Sequence, residues 1–301
     1  MLPKYTDKTI YSDYDLYQQN HAYLYESFST TNFDFKNIYY YTEQLVLFDS
    51  LGYFLDDPME EFGYDKNEFI TGRSSCEDLD EYFQSLGVYP NISSQGVGCT
   101  SVERNRTYDR AYHIYASVQL VKKMHPLYDQ VLVGIIRLDP LAKILLLDKA
   151  RSIIPRLLKQ LNSSNENDIY RNFVFLPRAE HKKYINMLLL SSIFLNPFPF
   201  GSGITSSEAL ATCLPVVVLT SHSSILPIAM SQVKSLGREI EDLLLVDTMQ
   251  EYIAKSVNIV NGIPIPLDGI KNMICSNKHK LFGYEALEIT TQEWFGFLSK
   301  I

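Results

Sequence analysis

Between about residue 111 and residue 260 the chain alternates short, continuous apolar runs with segments of helical periodicity, and few architectures accept that order. "AKILLLD" (142–148), "RNFVFLP" (171–177), "IFLNPF" (193–198) and "PVVVL" (215–219) have strand length and end in turn residues. A run that is apolar at successive rather than alternate positions suits a strand buried on both faces. Between them lie helical patterns: "HPLYDQVLVGIIRLDP" (125–140), which stops at a proline, then "SIIPRLLKQLN", "HKKYINMLLLSS" and "TSSEALATC". "RAYHIYASVQLV" (110–121) opens the series as a strand, and "DLLLV" (242–246) continues it between the helices "SQVKSLG" and "MQEYIAKSVNIV". Parallel strands need crossover connections, so this alternation predicts an α/β fold: a Rossmann-like, doubly wound, mostly parallel sheet covered by helices. The last stretch, 277–301, reads as largely helical.

The front third differs in kind. Residues 1–38 are polar and aromatic with weak periodicity. "YYYTEQLVLFDSLGYFL" (39–55) has a compact apolar centre and reads as a strand or strand pair. Residues 56–100 mix acidic residues, Gly and Ser and read as a loop-rich connection with one short helix at 77–86. The expected division is therefore a partial first lobe with its connection over 1–109, and a ligand-binding lobe over 110–301.

Composition narrows the function classes. The 301 residues are 46% hydrophobic and 21% charged, a globular balance. A formal net charge of −8 argues against nucleic acid as partner, because phosphate contact needs clustered Lys and Arg. No apolar run reaches the ~18 residues of a bilayer span, and the N-terminus lacks the apolar core of a signal peptide, so no membrane partner and a cytoplasmic location are expected. Cys76, Cys99, Cys213 and Cys275 are scattered without a C-x-x-C pair, which argues against structural zinc and for unpaired thiols in a reducing compartment. Neither G-x-G-x-x-G nor G-x-x-x-x-G-K-[ST] is present where such motifs would need to be.

In an open α/β sheet ligands sit beyond the carboxyl ends of the strands, and three strand-to-helix loops there carry suggestive residues. "FLNPFPFGSGITSSE" (194–208) leaves a strand, passes Gly201 and Gly203 and opens a helix near Thr205. The first turn of a helix offers unpaired N–H groups and partial positive charge to a phosphate, and Glu208, about one turn in, is placed to accept from a ribose diol. The same features also describe an ordinary capped helix after a proline turn. "QLVKKMHP" (119–126) supplies two lysines for a diphosphate, or is a solvated basic turn. "FLPRAEHKKY" (175–184) brings backbone at Ala179 and His181 that can read a base, and Tyr184 that can stack on one, or a half-buried packing tyrosine.

Together these strings resemble the catalytic C-terminal lobe of the O-GlcNAc transferase family, which includes SPINDLY-type enzymes and the bacterial cytoplasmic N-glycosyltransferases. "LNPFPFG" is similar to the bacterial members, and "YYYTEQLVLFDSLGYF" resembles words near the end of the family's first lobe. The resemblance covers roughly residues 38–58 and 110–260. It implies a GT-B enzyme that uses a UDP-sugar as co-substrate, transfers GlcNAc or a hexose to a protein or other acceptor, and needs neither metal nor cofactor. It implies Lys123 as the catalytic lysine that holds the diphosphate and stabilises the leaving group, with Gln119 beside it. It places Ala179 and His181 where backbone reads uracil and Tyr184 against the base. It sets Ser202, Gly203, Ile204, Thr205 and Ser206 on the phosphate-gripping turn and Glu208 on the ribose.

The chain also departs from that pattern. Gly203 and Ile204 replace a His-Thr pair of the animal enzymes, Met187 an Arg and Ser192 an Asp. The segment before residue 110 is short for a full first lobe, so a companion chain that supplies the rest is one expectation. A truncated lobe that binds UDP or a protein without turnover is the alternative function.

Overall fold

The computed structural model describes residues 51–63, 112–220 and 228–299. The expected strand over 39–50, the expected helix at 77–86 and residues 1–38 lie outside the described residues.

Six parallel strands form the sheet: β1 (His113–Ala116), β2 (Ala142–Leu147), β3 (Phe173–Leu176), β4 (Ile193–Leu195), β5 (Val216–Leu219) and β6 (Leu245–Val246). Their order is β3-β2-β1-β4-β5-β6, with every neighbouring pair parallel. The chain therefore winds outward from β1 in one direction and, after β4, in the other. β1 and β4 are the central pair, in the register Tyr115↔Ile193 and Ala116↔Phe194. This is the α/β doubly wound fold expected from the alternation. The continuous apolar runs follow from burial on both faces: every residue of β4 and β5 is buried.

Twelve helices surround the strands among the described residues: α1 (Pro58–Glu61), α2 (Pro126–Leu138), α3 (Ile154–Leu161), α4 (Asn167–Tyr170), α5 (His181–Leu190), α6 (Ile204–Ala211), α7 (Ile228–Leu236), α8 (Arg238–Leu244), α9 (Met249–Val260), α10 (Leu267–Asn277), α11 (His279–Phe282) and α12 (Tyr284–Leu298). Local chemistry sets their ends. α2 begins with Pro126, whose missing N–H costs nothing in a first turn, and His125 Nδ1 accepts from the Leu127 N–H at 3.2 Å. The helix stops at Asp139, ahead of Pro140. The Asp139 carboxylate caps the Leu141 N–H and accepts from the Tyr115 hydroxyl and His113 Nδ1, each at 2.7 Å. Those bonds outweigh its burial and hold its pKa below the usual carboxylate value. α9 starts with a capping box, Thr248 to Glu251.

Helices α2 and α9 cover one face of the sheet together and approach closely at Gly134, where an added Cβ would meet Ile253 Cδ1 at 2.5 Å. Inside lie Tyr128, Phe198 and Tyr252, with Phe198 edge-on to both tyrosines at 5.4 and 6.3 Å. Each such side chain contributes roughly 1.5–3 kcal/mol by leaving water.

Three expectations change. "DLLLV" is mostly helix: α8 runs to Leu244 and only Leu245–Val246 pair as strand. Arg238 explains this, since it reaches Glu241 and Asp242 at helical spacing while Ile240 and Leu244 turn inward. Residues 51–55 are irregular rather than a strand, because Gly52 has a φ of 69°, outside the extended region. Cys213 and Cys275 are not free thiols but a disulfide. The left-handed turn at Cys213 after α6 and the last turn of α10 come to a Cα separation of 5.0 Å. Cys76 and Cys99 lie outside the described residues.

Candidate functional site

The strand order puts the reversal of winding between β1 and β4, and the loops after these two strands flank the crevice that such a reversal opens. The loop after β4 is built first from its own residues. Asn196 is buried, and its side-chain oxygen accepts from the Ser202 N–H at 2.8 Å and the Ser202 hydroxyl at 2.5 Å. Gly201, at a φ of 72°, makes the return possible without a Cβ penalty. Tyr252 donates to the Asn196 carbonyl at 3.1 Å and Tyr128 to the Leu195 carbonyl at 3.2 Å. The turn is thus fixed from behind, and Phe200 is held outward, 61% exposed.

Helix α6 follows, with Gly203 as its N-cap and no side-chain cap. The Gly203 carbonyl accepts from the Ser206 hydroxyl, the Ser207 N–H and the Gln232 amide. The Ser206 hydroxyl shares its one proton between that carbonyl and Gln232 Oε1, each at 2.7 Å, so it is committed to the interior. Ile204 is exposed and carries no polar group. Thr205 faces the crevice: its hydroxyl accepts from the Gln119 side-chain amide, which comes from the loop after β1. Gln119 is buried, so this bond spans the crevice inside the protein.

Lys123 ends the short 3₁₀ turn Val121–Lys123 in the loop after β1. Its Nζ lies 5.2 Å from the Phe200 ring centroid, across the same crevice. Burial lowers its pKa from the ordinary lysine value. Two donors from the β1 side and the open first turn of α6 therefore converge on one region. An anion placed there would meet cationic Nζ and helix N–H groups together.

The loop after β3 reaches the other side of α6. His181, the first residue of α5, places Nε2 2.8 Å from Glu208 Oε1. Tyr184 stacks beside His181 at 6.5 Å, and its hydroxyl is buried near Glu208 without a well-formed hydrogen bond. Burial, with the nearby Glu208 charge adding to it, pushes the Tyr184 hydroxyl pKa up. Burial also raises the Glu208 pKa, more than its bond to His181 lowers it. Ala179 is half-buried in the loop between β3 and α5. Phe62, from the segment after α1, stands edge-on to His181 at 5.0 Å.

The structure brings together Gln119, Lys123, Thr205 and the α6 first turn, and separately His181, Tyr184 and Glu208. Ser202 serves the turn, and Gly203 and Ser206 serve the cap. Sequence reasoning missed Asn196, Gln232, Phe200, Tyr53 and Phe62. Asn196 stood in view inside "LNPFPFG", as a turn-forming residue after a strand. Gln232 gave no signal, because its partners lie in other elements. Among the described residues no group of three or more His, Cys, Asp or Glu is placed to hold a metal ion, and no helix is long and apolar enough to cross a membrane.

No family model and no curated protein matches this sequence. Solved structures do resemble the fold. An O-GlcNAc transferase from Thermobaculum terrenum, solved as a point mutant, superposes with a TM-score of 0.52 at 13% identity, covering 62% of this chain and 35% of that one. The pneumococcal O-GlcNAc transferase GtfA in complex with UDP and GlcNAc gives 0.41 at 14% identity, over 63% of this chain and 35% of that one. A UDP-forming α,α-trehalose-phosphate synthase from Burkholderia vietnamiensis gives 0.43 at 12% identity, over 64% and 44%. The chain spans 35–44% of the length of these proteins. The first of them shows the fold: a six-stranded, all-parallel α/β sheet of the kind found in a GT-B glycosyltransferase lobe.

Proposed function

We propose that this chain is the donor-binding lobe of a UDP-sugar-dependent glycosyltransferase. One observation carries the reading. At the reversal of strand order, Gln119 and Lys123 from the β1 side meet Thr205 and the open turn of α6 from the β4 side. A nucleoside diphosphate seated there has its negative oxygens against Lys123 and the α6 N–H groups, and its leaving charge is neutralised by the same groups. An acceptor oxygen or nitrogen attacks the sugar C1 and displaces the diphosphate; the C1 bond to the diphosphate oxygen breaks as the new bond forms, the acceptor's proton passes to solvent, and UDP departs as an anion. The base and ribose extend toward Ala179, His181, Tyr184 and Glu208. The reaction so drawn uses no metal and no cofactor. The transferred sugar is GlcNAc or a hexose, and the acceptor a protein or other acceptor.

A second reading, nucleotide binding without turnover, is favoured by Glu208, whose carboxylate is already engaged by His181, and by Ile204, which offers no donor at the phosphate turn. Isothermal titration with UDP tests both. Absence of heat at millimolar UDP in folded protein rejects them together. A UDP-sugar transfer assay with Lys123→Ala as control then separates turnover from binding.

A further inference from the structure

Residues 51–63 are far in sequence from every other residue of the crevice, yet they lie along α6 from one end to the other. At the N-terminal end, the Tyr53 hydroxyl accepts from Gln232 Nε2 at 2.8 Å. The Gln232 side chain is buried, and its amide also reaches Gly203 O at 3.2 Å and Ser207 Oγ at 2.6 Å, while its carbonyl accepts from Ser206. Gln232 thus ties Gly203, Ser206 and Ser207 at the start of α6, and Tyr53 is its further partner. At the C-terminal end, Asp57 pairs with Lys278 at 2.8 Å, and the same Nζ donates to the Ala211 carbonyl, the last residue of α6. Asp57 and Lys278 are both largely buried. Between these points Met59 is buried in the core, and Phe62 stands edge-on to His181, the partner of Glu208. Gly52 is held as well, its carbonyl accepting from Trp294 at 2.8 Å.

Packing alone does not require this arrangement. Lost burial at Met59 or Phe62 would loosen the segment, but the polar contacts converge on the residues that orient the crevice. The start of α6 has no side-chain cap of its own, and Gln232 is the residue that holds its Gly203 carbonyl and its Ser206 and Ser207 hydroxyls. We propose that residues 51–63 act as a clamp that sets the ligand-binding geometry of α6, with Tyr53 a positioning residue acting through Gln232 on the phosphate turn and Phe62 one acting through His181 on Glu208. The proposal rests on the nucleotide-diphosphate reading of the crevice. It means that the site is completed by a segment belonging to the front of the chain, not by the sheet lobe alone.

The test uses the full chain with Tyr53→Phe, which removes one hydroxyl and keeps the ring, and Phe62→Leu, which keeps bulk. UDP is the probe in isothermal titration. Hydrogen exchange of the unliganded protein follows the 207–210 amides against those of β2 and β5. The expected result is a melting temperature close to wild type, exchange at 207–210 faster by about tenfold in Tyr53→Phe with the strands unchanged, and UDP affinity lowered about two- to tenfold, the effect of one hydrogen bond. Gln232→Met should lower affinity similarly, and Tyr53→Phe should add nothing to it. Wild type that binds UDP with Tyr53→Phe unaltered in both exchange and affinity overturns the clamp and leaves the nucleotide reading standing. Wild type that does not bind UDP overturns the nucleotide reading, and the clamp with it.

Discussion

The Gln119 amide donates to the Thr205 hydroxyl across the line where the sheet reverses its winding, joining residues 86 positions apart. If the bond orders the crevice for a diphosphate, Gln119→Leu and Thr205→Val each weaken UDP binding about two- to tenfold, as for loss of one hydrogen bond. The double variant is no weaker than the worse single one, because both remove the same contact. Titration calorimetry on the three proteins measures this.

Lys123 is partly withdrawn from water against Phe200, and burial lowers its pKa. The protonated form is the one that attracts phosphate. Wild-type affinity for UDP therefore falls as pH rises through that lowered pKa, earlier than an exposed lysine would allow. Lys123→Met binds UDP about ten- to a hundredfold more weakly at neutral pH, as for loss of a charge-assisted contact, and its affinity is flat over the same alkaline range. Titrations from pH 7 to 10 decide the matter.

Glu208 carries the opposite kind of shift. Its pKa is raised, burial being the larger cause and His181 only partly offsetting it. A carboxyl with a raised folded pKa binds more protons folded than unfolded, so its charge penalises the fold above that pKa and the penalty vanishes below the unfolded value. Glu208→Gln is accordingly at least as stable as wild type at pH 8, and the gap closes as pH falls through the acid range. Thermal melts of both proteins at pH 4, 6 and 8 check the sign.

Asn196 holds the turn that carries Phe200. Asn196→Ala leaves the buried Ser202 N–H and hydroxyl without their acceptor and costs about 2–4 kcal/mol in urea unfolding. Asn196→Asp keeps an acceptor oxygen in place and restores most of that loss, which distinguishes the lost bonds from lost volume.

The strands were the legible part of this chain. β2, β3 and β5 announce themselves because burial on both faces forces unbroken apolar runs, and α2 and α9 because their caps and proline boundaries are local. "DLLLV" misled because three leucines and a valine suit either a buried strand or a helix face, and only the Arg238 pairs upstream decide between them. The crevice was half legible. Lys123 sits in a loop and Thr205 at a helix start whose composition betrays them, but their meeting depends on the strand order, which alternation does not specify. Gln232 and Tyr53 were invisible for the same reason, 179 residues separating two groups in one hydrogen bond. The disulfide between Cys213 and Cys275 is a similar case, since spacing of 62 residues carries no pairing rule.

The Tyr128 hydroxyl lies between the ends of the two central strands, sharing a hydrogen bond with Ser117 at 2.8 Å and donating to Leu195 O at 3.2 Å. The paired register of the two strands stops one residue earlier on each, at Ala116 and Phe194. A side chain from α2 therefore ties the two strand ends together beyond their ladder, beside the crevice. Gly134, which meets Ile253 of α9, lies on the same helix as Tyr128. Substitution there offers a way to shift the crevice mouth while every residue that lines it stays the same.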